Sequence, residues 1–202
     1  MKKFLVMVAA AMMAAVSVNA QSDDLKNEIG ITYGVGLSTV GDGIGSGLIA
    51  IIDYTLGQSE WANDKQFGTL GIEYFRHLSN PRLAVGGILT FASYGEDLVA
   101  KNGGQKSYER TRTYITVMPA IKYYWVNKNH FGLYSKAAVG GMMMIDKQKK
   151  MSDGSTSSDN SLYINFQASL LGLEAGSKNV RAFAEFGAGE QGFALLGLRC
   201  KF

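Results

Sequence analysis

Few side chains in this chain could do chemistry, and their spacing does not assemble them into a catalytic set. Histidine occurs twice, as His77 and His130. A hydrolase or acyltransferase needs a nucleophile and a base within hydrogen-bond reach, and the base is commonly histidine. No serine-containing elbow surrounds either residue, and no His-x-x-x-His spacing offers a zinc pair. Both lie beside short turn-forming runs, Ser79-Asn80-Pro81-Arg82 and Asn127-Lys128-Asn129-His130, and read as interface or turn residues. Cys200 is the only cysteine, which excludes an intrachain disulfide. Asp146, Asp153 and Asp159 fall in one polar stretch, but their spacing is not that of a calcium loop. The glycine-rich run Gly41 to Gly47 lacks the context of a phosphate-binding loop. The residues thus point away from an enzyme, a metal centre or a bound cofactor.

The segments that carry these residues explain why. The chain opens with Lys2 and Lys3, continues through the uncharged, largely apolar Phe4 to Val16, and reaches the small residues Ser17-Val18-Asn19-Ala20 before a polar stretch. This is the layout of a cleaved secretory signal. The apolar run is shorter than the roughly 20 residues that a spanning helix requires. Residues 1–20 are expected to be the signal peptide and residues 21–202 one domain. That domain would hold 202 − 20 = 182 residues, with 18 Lys+Arg against 17 Asp+Glu once Lys2 and Lys3 are removed, a balance of +1. Near-neutrality gives no electrostatic case for nucleic acid.

Beyond residue 25 the hydrophobic period is two. In Thr111 to Trp125, Ile115, Val117, Ile121, Tyr123 and Trp125 share one parity, while Arg112, Tyr114, Thr116 and Lys122 share the other. Successive side chains of a strand point to opposite faces, so each such segment separates two environments. The pattern recurs in 28–38, 131–145 and 162–170, and more weakly in 68–78 and 83–93. A soluble β-sandwich alternates too, but several of these runs exceed the usual length of about 5–6 residues in soluble strands. A tilted membrane strand needs about 9–11 residues. Short turns at 79–82, 127–130 and 176–179 alternate with longer polar stretches at 96–107 and 146–161, as in outer-membrane barrels. Tyr74, Phe75, Tyr123, Tyr124, Trp125, Phe131 and Tyr134 cluster beside the short turns and read as an interfacial aromatic girdle.

Counting back from the carboxy terminus gives strands near 192–202, 180–189, 161–175, 131–147, 108–126, 83–95, 66–78 and 27–38. The expected fold is therefore all-β: an eight-stranded, antiparallel, up-and-down transmembrane β-barrel with both termini on the periplasmic side. Thr39 to Lys65 is left as one long outer loop. Its apolar stretch Leu48 to Leu56 is read as a short helix or packed segment, with a ten-stranded barrel as the rival.

The chain resembles small outer-membrane β-barrel proteins of the OmpA/OmpX-like group, and most of all uncharacterised members of that group. The resemblance is carried by Gly71-Ile72-Glu73-Tyr74-Phe75 with His77-Leu78, by His130 to Lys136, and by Gly189-Glu190-Gln191-Gly192 followed by Gly197 to Phe202. It implies fold and a Gram-negative outer-membrane location, with no activity attached. The amphipathic last strand ending on Phe202 looks like the signal that barrel-assembly machinery reads in such proteins.

Extending the parities turns Glu73, Arg110, Arg112, Lys122, Lys136, Arg181, Glu185 and Arg199 inward. A barrel of eight strands has room inside only for side chains or one small ligand, and charges there must pair. The expected partners are outer-membrane lipid, the assembly machinery during biogenesis, and an extracellular partner at the outer loops. Two functions remain open: a structural or surface-interaction barrel, or a narrow porin-like channel, slightly anion-favouring because six of those eight charges are basic.

Overall fold

The computed structural model describes residues 25–34, 65–99, 106–150 and 155–202. The alternating segments become eight strands: β1 (Asn27–Gly34), β2 (Lys65–His77), β3 (Leu83–Val99), β4 (Lys106–Asn127), β5 (Phe131–Lys150), β6 (Thr156–Gly176), β7 (Val180–Gly189) and β8 (Ala194–Lys201). Each pairs antiparallel with the next, and β8 pairs with β1 to close the ring. Closure leaves no sheet edge around the waist. At the base, the backbone N–H of Asn27 donates to the Phe202 carbonyl at 2.8 Å, and the N–H of Phe202 returns the bond to Asn27 at 2.8 Å. The expected eight antiparallel strands are those observed.

Two boundaries differ. Much of the polar stretches 96–107 and 146–161 is strand, because the hairpin registers run on: Arg112 faces Asp146, and Asp146 in turn faces Asp159. Backbone pairing there tolerates Lys, Ser and Asp because both faces meet water. The β1 strand is described over Asn27–Gly34, and the rest of the expected 27–38 strand lies outside the described residues. The expected signal peptide and the 41–64 segment lie outside the described residues.

The two faces are chemically inverted relative to a soluble barrel. Outward residues include Leu89, Val117, Val139, Leu170, Phe186 and Leu196, which are 47–79% exposed. They come from β3, β4, β5, β6, β7 and β8, so the apolar surface runs around the ring. Soluble monomers rarely expose contiguous apolar patches beyond a few hundred Å². Near the short turns, outward Tyr74, Trp125 and Phe131 form an aromatic band on the β2–β5 side. Phe75, Tyr124 and Tyr134 do not join it; they are fully buried inside. The physical reason is the pleat: neighbours such as Tyr74 and Phe75 cannot share a face.

One irregularity shapes the interior. On β6 an extra residue is inserted at Leu170–Leu171, where Tyr134 pairs with Gly172 but Lys136 pairs with Ser169. Leu170 and Leu171 both point outward, and the parity of everything after them flips. A bulge leaves backbone groups out of the ladder. Here the Ser135 hydroxyl donates to the Leu170 carbonyl at 2.6 Å and accepts from the Trp125 indole N–H at 2.9 Å. Replacing Ser135 by Ala strands both groups on the apolar face. The Ser135→Ala protein is expected to lose about 1–3 kcal/mol, measured as a lower urea midpoint in detergent micelles; an unchanged midpoint would show that the bulge does not depend on this relay.

Candidate functional site

The functional candidate is the interior itself. Alternation delivers one side chain inward from every second position of each strand, and among the described residues every strand but β3 contributes a buried charge, with two each on β7 and β8. Glu28, Glu73, Glu174, Glu185 and Glu190 are at most 1% exposed, and Lys122, Lys136, Arg181, Arg199 and Lys201 at most 3%. These are five carboxylates against five cations. The opposite wall, from β2 to β5, supplies the apolar cluster Phe75, Ala84, Ile88, Met118, Ala120 and Ala138.

Arg199, on the last strand, sits at the centre. Its guanidinium reaches Glu73 at 2.5 Å, bonds Glu174, and lies 3.7 Å from Glu28 and 3.9 Å from Glu185. Its planar fork suits several carboxylates at once. The ring faces of Phe183 and Tyr134 lie 4.1 Å and 5.0 Å from its central carbon. Lys136 bonds Glu73 at 3.0 Å, Glu185 at 2.9 Å and Gln191 at 2.9 Å. Lys122 bonds Glu28 and packs 3.9 Å over the Phe75 ring. Lys201 bonds Glu174 at 2.6 Å, and Arg181 bonds the same carboxylate at 2.5 Å. Tyr124 and Tyr134 donate to Glu28 at 2.9 Å and Glu185 at 2.7 Å. The Tyr134 ring has room because Gly172 lies opposite; a methyl there would press into it.

The upper part of this network is tied down by the short connection between β7 and β8. Gly192, at φ 121°, allows a turn that folds inward. Gln191 then reaches both Lys136 and the Thr32 hydroxyl, the latter at 3.1 Å. Glu190 accepts from Asn165 at 2.7 Å.

Six of the eight sequence-derived residues, Glu73, Lys122, Lys136, Arg181, Glu185 and Arg199, meet in this connected network. Arg110 and Arg112 do not. They stand on the long-hairpin part of β4 and share Asp146 of β5. That end projects into water, since neighbouring Lys147, Gln148 and Lys149 are all exposed. Hydrogen bonds from Arg110 hold the Asp146 carboxyl below the usual carboxylate range.

Sequence reasoning missed Glu28, Glu174 and Lys201. Glu28 and Lys201 share parity with the inward Gly30 and Arg199 and were there to be read. Glu174 was hidden by the bulge, which turns it from the outward parity of Leu162 to the inward one. With these residues and Glu190 included, the expected excess of basic charge disappears among the described interior residues. His77 is another difference: it points inward, 3.4 Å from Glu28 and stacked on Tyr124 with centroids 5.3 Å apart. His130 is a turn residue, its Nδ1 3.0 Å from the Gly176 carbonyl. Cys200 has the outward parity but is only 6% exposed, flanked by Ile29 and Val180 on the adjacent strands. No group of three His, Cys, Asp or Glu among the described residues could hold a metal ion.

A ring of eight antiparallel strands with a polar, ion-paired interior and an apolar exterior is the arrangement of a membrane-spanning β-barrel. No family model and no curated protein sequence matches the chain. Among solved structures it is similar to Ail, the attachment invasion locus protein of Yersinia pestis, at 15% identity and a TM-score of 0.48, covering 88% of this chain and 97% of that one. Ail in complex with the heparin analogue sucrose octasulfate matches at 13% identity and 0.45 over 88% and 97%. The N-terminal β-barrel domain of Pseudomonas aeruginosa OprF matches at 13% identity and 0.41, covering 89% and 98%. At these levels the likeness carries no functional argument.

The hub and the rim pair differ in depth, and so in energetic weight. Arg199→Ala leaves four carboxylates without their shared cation and is expected to cost about 3–5 kcal/mol, read from the urea midpoint. The Arg110–Asp146 pair is partly exposed, so Asp146→Asn is expected to cost no more than about 1 kcal/mol at neutral pH. Because folding depresses this carboxyl, its contribution is fully present above the unfolded value of 3.8 and is lost as pH falls from there through the lower folded value. The two proteins should begin to converge in stability as pH falls below about 4; a difference that grows in acid would contradict the assignment.

Proposed function

We propose that this protein is an integral outer-membrane β-barrel with a structural or surface-interaction role, in which the ring is a closed anchor and the long hairpins meet the outside. The observation that carries this reading is the filled interior. Charged side chains from seven strands interlock across the lumen, with exposures of 3% or less, and Gln191 from the β7–β8 turn joins them. Such packing leaves little room for a hydrated ion. The apolar outer belt and the aromatic band at the short-turn end support a membrane setting. The long strands β3 to β6 support an outward display, since β6 runs past the ends of β7 and β8 at the opposite end. The short-turn end, where Asn27 and Phe202 pair, is then periplasmic. Residues 1–20 act in this reading as the export signal, and Phe202 as part of the signal to the assembly machinery.

The second reading is a narrow porin-like channel. Single-channel recording separates the two. The purified protein inserted in a planar bilayer is expected to be electrically silent. Reproducible conductance steps from wild-type protein would overturn the plugged-anchor reading and establish the channel.

A further inference from the structure

Above the ion-paired mesh the lumen wall carries polar groups of a different kind. Thr69 of β2, Thr90 of β3 and Thr116 of β4 point inward and are at most 1% exposed, yet their hydroxyls have no hydrogen-bond partner among the described residues. A buried hydroxyl without a partner is costly, and native proteins leave few of them. The three are neighbours. Thr90 pairs in register with Thr116 on one side and with Gly71 on the other, and Thr69 is the next inward position of β2. Apolar side chains flank the row along the strands: Ile88 and Ala92 on either side of Thr90, and Met118 beside Thr116, all at most 2% exposed. The row extends across β2 to the inward-folded β7–β8 turn. Gly71 has no side chain, so the Thr32 hydroxyl lies over it; an added Cβ would meet that hydroxyl and stand 3.1 Å from Gln191 Nε2. This nitrogen donates one N–H to Thr32 at 3.1 Å, and its second N–H is left over among the described residues. The Gln191 side-chain oxygen accepts from Lys136 at 2.9 Å, which ties the row to the edge of the mesh.

We infer that this threonine row is a binding site for ordered water, held between the β2–β4 wall and the β7–β8 turn. A buried water takes about two to four polar partners. Cross-strand neighbours carry Cβ atoms about 4.5–5.5 Å apart, and two O–H···O bonds of about 2.7–2.8 Å span such a gap through one water. One water therefore bridges Thr90 and Thr116, with Thr69 and the Thr32–Gln191 pair as further ligands of the cluster. A hydroxyl both donates and accepts, so the row suits a neutral ligand that does the same. Lys136, the cation tied to the row through Gln191, is already shared between Glu73 and Glu185. The lumen then has two compartments, ion pairs below and hydrated hydroxyls above, and Gln191 belongs to both. The site stands on the geometry of the wall and is independent of whether the barrel conducts.

The test reads the water both directly and through stability. A high-resolution crystal structure of the purified protein is expected to show a water within hydrogen-bond distance of both Thr90 and Thr116. Thr90→Val and Thr116→Val each exchange the hydroxyl for a methyl group of similar size. Each is expected to lower the urea midpoint in detergent micelles, because the remaining partner and the water lose a bond. The double variant is expected to lower it by less than the two single shifts together, since the shared water is lost once. A dry row gives the opposite sign, because removing an unmet buried hydroxyl raises the midpoint. Raised midpoints in the single variants, shifts that add fully in the double variant, or a crystal structure in which the two hydroxyls bond each other with no water between them would each overturn the site.

Discussion

The structure depends on a single requirement: charges removed from water inside the ring must find one another. Removing one partner of a buried pair leaves a charge that nothing compensates. Arg199 meets this requirement for four carboxylates drawn from β1, β2, β6 and β7. The cations Lys122, Lys136 and Lys201 then share the remaining carboxylate oxygens. Because each carboxylate has at least two cationic neighbours, the network is a mesh rather than a set of pairs. The aromatic rings of Phe75, Tyr124, Tyr134 and Phe183 fill its gaps and offer their faces to the cations. The same requirement explains the glycines opposite the rings, since a side chain at Gly172 or Gly197 would collide with Tyr134 or Phe183.

The outer face obeys the complementary rule. Lipid offers no hydrogen bonds, so every backbone group there must be satisfied within the wall. Closure of β8 onto β1 does this for the ladder. The β6 bulge is one of several register shifts in the ladder, and the Trp125–Ser135–Leu170 relay repairs it locally. Two unrelated-looking choices in the sequence, a serine on β5 and a tryptophan on β4, thus serve one irregularity on β6.

Much of the architecture was legible from residue order. Alternation along Thr111–Trp125 and Phe131–Ile145 marks inside and outside residue by residue, because a pleated strand offers no third option. Turn residues at 79–82, 127–130 and 176–179 mark the reversals. Legibility failed where a count of two is interrupted. The extra residue at Leu170–Leu171 looks like any two leucines in sequence, yet it turns Glu174 inward. It also failed at the aromatics, where clustering along the chain masked opposite orientations of Tyr74 and Phe75. The pairing of Arg110 and Arg112 with Asp146, away from the central network, follows from how far β4 and β5 extend, which composition does not report.

The place of Arg199 in the chain has a consequence for biogenesis. Its strand is the last of the eight in chain order, while its carboxylate partners lie on β1, β2, β6 and β7. Until β8 docks between β7 and β1, the interior carries four carboxylates without their common cation, and the ring is open as well. Electrostatic neutrality and ring closure therefore arrive in the same event. A chain truncated before its final strand, or one that closes out of register, cannot hide the error. The central cation reaches its carboxylates of β1 and β2 across the same seam that closes the ring, so charge compensation and closure share one contact.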